Sequence, residues 1–454
     1  MPKRLARKYV KLVTLFLSCI GLSMSFSPHV NATTLKEAVA HALCTGPDIG
    51  IVSHSREAIQ AEVRQALAGY YPTVDLSAAY GREYANNLTT RGATSPGPGG
   101  FGSGITLWRS ELGIVIRQML FDGFAVQSDV KGKKARLRAQ SWRVNSEAER
   151  IALEVSEAFL NINLQKKLVS YARQNVASHE RIYKQIKQRA QGGVSREADF
   201  EQATGRLASA RANLLAVEAN LRDAHTKYLR VVGIPAANLV EPVVPASNLP
   251  ASLAIAIAQG IQRHPELRAA TTDVLVTKAA KDLAKAAFLP TLHAELIADD
   301  NQNILGSKGL SSDAAAMLRA RWNIFRGGGD LANVKQKAEK IEEAKEVRNR
   351  SHRETEETVR LAWSLYETAI YQIPQFSIHM NTVQKVLSAY YQQFDIGQRT
   401  LLDLLDTENE VLRAQNDYAT GFYNKLVGSY RILRGTGCLL DHFTIPQPYA
   451  ARLS

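Results

Sequence analysis

The stretch FDIGQRTLLDLLDTEN, Phe394–Asn409, has a degenerate second copy 204 residues earlier, AQGGVSREADFEQATG at Ala190–Gly205. In this alignment Gly397 falls on Gly193. Each copy interrupts two segments of heptad hydrophobic patterning at a glycine, the residue that most readily lets a helix end and the chain reverse. The two copies therefore predict the tips of two long helical hairpins.

The repeat extends well beyond the two tips. YPTV at residues 71–74 matches LPTL at 289–292, and FDG at 121–123 matches FRG at 325–327. The first half carries 14 extra residues, which fall near SPGPGGFGSG at 95–104, a composition typical of an exposed loop. A duplication over the full length predicts a chain built from two copies of one structural unit.

Residues 1–32 have the composition of a secretory signal peptide. A basic head that contains Lys3 and Arg4 precedes an apolar run, Leu12–Phe26, and Val30-Asn31-Ala32 fits a small-residue cleavage site. The run is short for a membrane anchor, and no later stretch reaches the roughly 18 uninterrupted apolar residues of a helical span. We therefore predict that the chain is exported and cleaved after Ala32.

Charge and motifs exclude several classes of function. The formal net charge of +13 falls to about +8 without residues 1–32, and it is spread along segments in which both signs alternate. A nucleic-acid-binding protein more often has a basic block with interleaved aromatic residues. No HExxH, GxSxG or CxxC is present, and GGGD at 327–330 lacks the lysine of a phosphate loop. We predict no enzyme, no cofactor, no metal site and no nucleic-acid partner.

Two pairs of segments alternate polar and apolar residues with the period of a β-strand. The predicted strands cover about 72–86 and 107–121 in the first half, and about 290–300 and 314–325 in the second. They are either half-buried strands of a soluble sheet or membrane strands with lipid outside and water inside. Aromatic residues at the segment ends favour the membrane interpretation. Four strands cannot close a membrane barrel, so this interpretation requires an oligomer.

Long helical hairpins fill most of the remaining chain, at 124–231 with a tip near residue 193 and at 327–433 with a tip near 397. Apolar residues in the long helices step by alternating threes and fours, which indicates coiled-coil packing. We also predict one continuous helix at 251–288. Pro374 should kink the second long helix because proline removes a hydrogen bond and clashes with the preceding turn.

These elements divide the chain into five segments. The predicted division is a signal peptide at 1–32, a first repeat at 33–233, a linker at 234–250, a second repeat at 251–437 and a tail at 438–454. The end of the last helix and the start of the first should lie at the same level along the hairpins. In an oxidising compartment this level would allow Cys44 and Cys438 to form a disulfide.

IGQRTLLDLLDTEN at 396–409 resembles the tip signature of the TolC family of outer-membrane export channels, a glycine, arginine and threonine followed by two aspartates three apart. GGVSREADFEQA at 192–203 resembles the family's first-hairpin copy. The resemblance covers nearly the whole mature chain. It implies an α+β membrane protein, a homotrimer whose twelve strands form one β-barrel in outer-membrane lipid, continued by a periplasmic helical tunnel.

The resemblance also implies a location and partners. The expected location is the outer membrane of a Gram-negative bacterium, and the expected partners are a periplasmic adaptor (membrane fusion) protein and an inner-membrane transporter of ABC or RND type. The expected function is a passive duct for efflux of small molecules or for type I protein secretion. The alternative is a structural coiled-coil protein of the cell envelope, which would have no need of paired amphipathic strands.

Five residues correspond to the family's periplasmic gate. Asp403 and Asp406 fall on the paired aspartates that form acidic rings at the closed entrance. Arg399 falls on an arginine that ties the inner hairpin to its neighbour, and Asp199 on the acidic partner in the outer hairpin. Phe394 replaces the frequent tyrosine, so a hydroxyl bond to the aspartate cannot form there. The residues expected to contact the adaptor are Gly193, Val194, Gly397, Gln398, Thr400 and Leu401.

Overall fold

The computed structural model describes residues 33–87, 90, 104–192, 196–242 and 248–452. The predicted signal peptide, and Gly193 and Val194 at the first tip, lie outside these residues. The described helices are α1 Leu35–Thr45, α2 Pro47–Ala68, α3 Ala125–Gln191, α4 Glu197–Val232, α5 Leu253–Arg263, α6 Pro265–Lys285, α7 Gly329–Asp395, α8 Leu401–Gly435 and α9 Leu439–His442. The strands are β1 Thr73–Ala85, β2 Ile105–Phe121, β3 Thr291–Gln302 and β4 Leu310–Arg321.

The four strands form one antiparallel sheet in the order β1-β2-β3-β4. Each repeat contributes one hairpin, and the hairpins join because β2 pairs with β3 over Ser110–Phe121, with an irregularity between Met119 and Phe121. β1 and β4 are therefore the edges of the sheet. This pairing between the two repeats is a tertiary contact that the sequence pattern did not specify. The predicted α+β class is confirmed.

The two faces of the sheet differ in polarity, as the alternation predicted. One row runs through Val74, Ile116, Leu296 and Ala316. On this apolar face the side chains are open to the surroundings of the single chain, and Leu76 is 73% exposed. A contiguous patch of exposed apolar side chains on one face of a sheet needs a cover other than water.

The opposite face carries ion pairs. Glu295 on β3 lies between two arginines on the adjacent strands: Arg117 Nε donates to Glu295 Oε1 at 2.9 Å, and Arg319 Nε donates to Oε2 at 2.9 Å. Nearer the other end of the sheet, Arg109 Nη1 donates to Glu83 Oε1 at 2.8 Å. These contacts join neighbouring strands, so they pair opposite charges and also stabilise the register of the sheet.

Two predicted elements have different bounds in the structure. β4 covers 310–321 rather than 314–325, because β3 begins at Thr291, which pairs with Arg321, and later residues have no strand beside them. The single helix predicted at 251–288 is two helices. His264 has ψ 122° and separates α5 from α6, because a residue before proline is disfavoured in helical conformation. Gly46 before Pro47 separates α1 from α2 in the same way.

The chain divides into two compact units, each assembled from three stretches of sequence. The first contains residues 33–42, 154–192, 196–242 and 369–427, and it includes the second hairpin tip. The second contains the sheet and residues 43–87, 90, 104–153, 248–368 and 428–452. Pro374 lies inside α7, which remains helical through it. The bend expected at Pro374 stays a prediction.

None of the described helices combines the length and apolar character that a membrane span requires.

The expected disulfide is not formed. Cys44 and Cys438 are both free, with Cys44 exposed and Cys438 half-buried. The Cys438 Sγ lies 3.6 Å from Arg263 Nη1 and donates to the Thr436 carbonyl at 3.6 Å. The prediction rested on a shared level along the helices, and a shared level does not determine the direction in which a side chain points.

The segment after α8, the predicted C-terminal tail, begins with a packed helix. α8 ends where Gly437, with φ +69°, lets the Cys438 N–H donate to the Leu433 carbonyl at 2.9 Å. Leu439 and Leu440 of α9 are then buried. Their N–H groups donate to the carboxylate of Glu149, at 3.2 and 3.3 Å. Glu149 is only 4% exposed, and burial raises its pKa to about 7.

We expect this carboxyl to make stability depend on pH. Between pH 4.5 and pH 7 the folded chain keeps a proton on Glu149 that the unfolded chain has released, so raising the pH through this window destabilises the fold. Relative to Glu149→Gln, the wild-type protein should lose about 2 to 3 kcal/mol between pH 5 and pH 8. Chemical unfolding followed by circular dichroism at a series of pH values measures the difference.

The control is Glu57→Gln, which removes an exposed carboxylate of α2 that lies 3.5 Å from His54. This variant should follow the wild-type pH profile. Parallel profiles for wild type and Glu149→Gln would contradict the assignment.

Candidate functional site at the hairpin tips

The second tip is a tight helix-to-helix turn built on Gly397. Gly397 has φ +77°, its N–H donates to the Phe394 carbonyl at 3.1 Å, and the Gln398 N–H donates to the Gln393 carbonyl at 2.8 Å. This is the Schellman arrangement, which ends a helix with a residue in the left-handed region and satisfies its last carbonyls. Glycine adopts that conformation without strain, which is why the conspicuous tip glycine is required.

The next helix begins with its own cap. The Thr400 hydroxyl accepts from the Asp403 N–H at 3.2 Å and donates to Asp403 Oδ2 at 2.8 Å. A side-chain oxygen and an acidic residue three positions later are the two halves of a capping box. The Thr400 hydroxyl, with the Arg399 guanidinium as a further contributor, lowers the pKa of Asp403 below its usual value. Asp403 therefore stays ionised at neutral pH at the exposed end of α8.

Arg399 is folded back onto its own hairpin. Its Nε donates to Gln393 Oε1 at 3.0 Å, and its guanidinium lies 4.1 Å from the centroid of the Tyr390 ring. Its Nη1 is 3.7 Å from Asp403 Oδ2. These contacts hold the turn between α7 and α8 together. The expected role of Arg399 in tying the hairpin to a neighbour stays a prediction.

Asp406 connects the two hairpins of one chain. Its Oδ1 accepts from Arg206 Nη2 at 2.7 Å, which joins α8 to α4. The sequence reasoning missed Arg206, although one signal could have found it: Arg206 lies one heptad after Asp199 and so on the same face of α4. Asp199 itself lies in the first turn of α4, where the helix dipole favours a negative charge.

Phe394 belongs to a hydrophobic cluster below the turn, which we call the tip core. Phe394 is 5% exposed, and Arg189 lies over its ring, 4.9 Å from the centroid. The Phe394 ring therefore packs inside the hairpins, where a tyrosine hydroxyl would need a buried partner. The tip core contains residues of α3, α4, α7 and α8: Ile182, Ile186, Ala203, Phe394, Leu401, Leu404 and Leu405.

The exposed residues at the turn differ from those predicted. Gly397, Gln398 and Thr400 are exposed, as expected of a contact surface. The expectation for Leu401 is wrong at the level of the side chain, because Leu401 packs into the tip core. Ile396, which is 69% exposed, was not anticipated and adds an apolar side chain to this surface.

A buried polar pair lies above the tip core. The Tyr391 hydroxyl donates to the Glu408 carboxylate, and the Glu408 carbonyl accepts from Asn175 Nδ2 at 3.4 Å. Burial raises the pKa of Glu408 above its usual value. The sequence reasoning did not single out this pair, although Glu408 occupies a heptad position between Leu404 and Val411 where an apolar residue is expected.

The tip combines exposed acidic side chains with a packed apolar core. Ionised carboxylates lie at an exposed turn, and a packed apolar core lies directly behind them. Within the described parts of the chain, no three His, Cys, Asp or Glu side chains converge to hold a metal ion. The arrangement can attract or repel charged solutes and can bind a partner through the exposed turn.

We expect Phe394→Ala to loosen the tip locally. Removing a buried phenylalanine costs about 3 to 5 kcal/mol of packing free energy. Because only the tip core loses contacts, the hairpin ends should open roughly 100- to 5,000-fold more often while the remaining helices stay folded. Limited proteolysis with mass analysis of the cut sites measures this opening.

Leu402→Ala is the control, because Leu402 is half-exposed on the same turn of α8. It should leave the cleavage rate at the tips within a few-fold of the wild type. Equal rates for Phe394→Ala and Leu402→Ala would show that the tip core does not hold the hairpins closed.

Comparison with known proteins agrees with this architecture. The family model for outer membrane efflux proteins matches residues 38–233 and again 256–431, once in each repeat. The outer membrane efflux protein BepC of Brucella suis biovar 1 (strain 1330) is 24% identical over 330 residues, 72% of each chain. The outer membrane protein TolC of Escherichia coli (strain K12) is 23% identical over 92% of this chain and 85% of its own length.

A solved structure of CusC has the same fold. It superposes with a TM-score of 0.78 at 16% sequence identity, over 89% of this chain and 92% of the CusC chain. The family match covers most of the length of the protein and follows the internal duplication that the sequence contains. The chain therefore belongs to the outer membrane efflux protein family.

Proposed function

We propose that three copies of this chain form a passive duct in the outer membrane of a Gram-negative bacterium, through which an export system passes its cargo. The main support for this proposal is that the four-stranded sheet is open at both edges and apolar on one exposed face. Its edge strands β1 and β4 have no further strand beside them in the described chain, and its apolar face is exposed. An open edge in lipid is prohibitively costly, so the sheet must be completed by other copies.

The two faces of the sheet suit the wall of such a duct. Leu76 and Leu318 on the apolar face would contact lipid, and the Arg117–Glu295–Arg319 contacts on the other face would line a water-filled interior. Tyr80 and Trp108 stack with ring centroids 5.4 Å apart on the apolar face, as interfacial aromatic residues do. Three chains would supply twelve strands.

The tip would serve as the gate at the periplasmic end. Three copies would bring six carboxylates, from Asp403 and Asp406, to one narrow opening. Such a ring attracts cations and restricts their passage. The Arg206–Asp406 contact between hairpins, together with the local contacts of Arg399, would hold the closed arrangement.

The partners in this proposal are a periplasmic adaptor protein and an inner-membrane transporter of ABC or RND type. The exposed residues of the turn, Ile396, Gly397, Gln398 and Thr400, form the surface for the adaptor. The cargo is either a small molecule or a protein secreted by the type I route. A purely structural coiled-coil role leaves the exposed apolar face of the sheet without a purpose.

Native mass spectrometry and planar-bilayer recording of the detergent-solubilised protein test the proposal together. We expect an assembly of three chains and single-channel conductance steps. A monomer that forms no conducting pore would overturn the proposal.

The gate assignment has its own test. Asp403→Asn combined with Asp406→Asn removes six charges from the mouth of the proposed trimer. The cation-over-anion permeability ratio should fall several-fold, and block by divalent cations should weaken, because the field that concentrates cations is lost. Asp282→Asn is the matched control, since it removes an exposed carboxylate from α6 in the other compact unit. Identical selectivity in the gate variant and the control would remove the proposed gate.

The ion pair between Arg206 and Asp406, which links the two hairpins, should have only a small effect on channel opening. Arg206 and Asp406 are 37% and 57% exposed, and such ion pairs contribute at most about 1 kcal/mol. Arg206→Gln should therefore raise the fraction of open channels by up to roughly fivefold. Salt at about 0.5 M screens exposed ion pairs, so it should reduce the difference in open fraction between the variant and the wild type. Once Arg206→Gln has removed the ion pair, adding Asp406→Asn should not raise the open fraction further by loss of that pair. Fully additive effects of the two substitutions would contradict a direct interaction.

A further inference from the structure

A cavity lies within the compact unit that contains the sheet, away from the hairpin tips. It has a volume of about 530 Å³ and is lined by α3, by α5 and α6, and by α7. Trp142, Ile261 and Leu267 form an apolar part of its lining. We call it the Trp142 cavity. Its volume is in the range of pockets that hold drug-sized organic molecules.

The ionisable side chains in the Trp142 cavity are all basic. Arg268 and Arg348 line it together with His352, and no Asp or Glu is part of the lining. The Arg268 guanidinium lies 4.8 Å from the centroid of the Trp142 ring. This contact fixes its direction while leaving most of its donors available.

The hydrogen bonds that the two arginines make use only part of their capacity. Arg268 Nε donates to the Gln262 carbonyl at 3.1 Å, and Arg348 Nη2 donates to Asn349 Oδ1 at 3.0 Å. Each guanidinium carries five N–H donors. Across the described residues, neither guanidinium forms an ion pair with a carboxylate.

The helix that carries Arg348 also carries cations that do pair with a carboxylate. Along α7, Lys345 pairs with Glu342 at 2.8 Å and Arg360 pairs with Glu356 at 2.6 Å. Those cations are balanced by neighbours on their own helix. Arg348 of α7 and Arg268 of α6 instead both line the cavity, so two positive charges from different helices border one space.

We propose that the Trp142 cavity is a binding site for a small organic anion with an apolar body. The planar fork of arginine matches carboxylate, sulfonate and phosphate groups, so Arg268 and Arg348 would hold the anionic group. The apolar body would lie against Leu267, Ile261 and the Trp142 ring. The site is complete within one chain, and its occupation does not depend on the proposed export function.

The test is isothermal titration calorimetry on the full-length protein in lipid nanodiscs, with 2-naphthalenesulfonate as the probe and empty nanodiscs subtracted. We expect saturable binding of one molecule per chain. The neutral analogue 2-naphthol should bind at least 10-fold more weakly because it lacks the group that the arginines hold. Inorganic sulfate should also bind at least 10-fold more weakly because it lacks the apolar body.

Substitutions of the two arginines test whether 2-naphthalenesulfonate binds in the Trp142 cavity. Arg268→Gln combined with Arg348→Gln should weaken the binding of 2-naphthalenesulfonate by at least 10-fold, since a hydrogen bond to a charged group contributes about 1.5 to 3 kcal/mol. The corresponding double substitution to lysine keeps the charges and loses the forks, and its affinity should fall between the two. Arg263→Gln with Arg350→Gln is the control pair, on α5 and α7, because neither residue lines the cavity.

Three results would overturn the proposal: no saturable binding to the wild type, equal affinity of the glutamine pair and the wild type, or equal affinity for sulfate and 2-naphthalenesulfonate. Circular dichroism of each variant verifies that the helices are retained. Because the readout is binding and not conductance, its failure would leave the export duct untouched, and a failed duct would leave this site untouched.

Discussion

The constraint on which this protein depends is the hydrogen bonding of a four-stranded sheet with two unpaired edges and one exposed apolar face. A sheet of this kind is unstable alone in water, because its apolar side chains remain uncovered and its edges invite further pairing. Membership of the outer membrane efflux protein family gives a physical solution to both problems. In the proposed duct, lipid would cover the apolar face and neighbouring chains would complete the edges.

The two repeats share local structural features as well as sequence. In both halves a proline follows the break between two short helices, at Pro47 and at Pro265, and the residue before it leaves the helical region. The two ends of α8 use different devices: a threonine capping box begins the helix, and a glycine at position 437 ends it. Such caps are encoded within a few residues, so they recur without help from distant parts of the chain.

The tip combines interactions of very different strength. Burial of the tip core contributes the larger share, because each large apolar side chain contributes a few kcal/mol when it is fully buried. The exposed pair of Arg206 and Asp406 contributes much less, yet it is directional and links two hairpins. The core therefore holds the hairpin ends together, whereas the ion pair and the contacts of Arg399 are weaker and directional. This division would suit the proposed gate.

The sequence by itself determined the helical hairpins, the alternation of the strands, the turn at Gly397 and the family, because each depends on residue periods and short motifs. Only the tertiary structure decided which distant side chains meet. It joined the two β-hairpins through β2 and β3, paired Arg206 with Asp406, buried Phe394 and Leu401, and left Cys44 and Cys438 as free thiols. A periodic pattern gives the face on which a residue lies. It does not give the neighbouring element that this face will contact, since that depends on the packing of the whole chain.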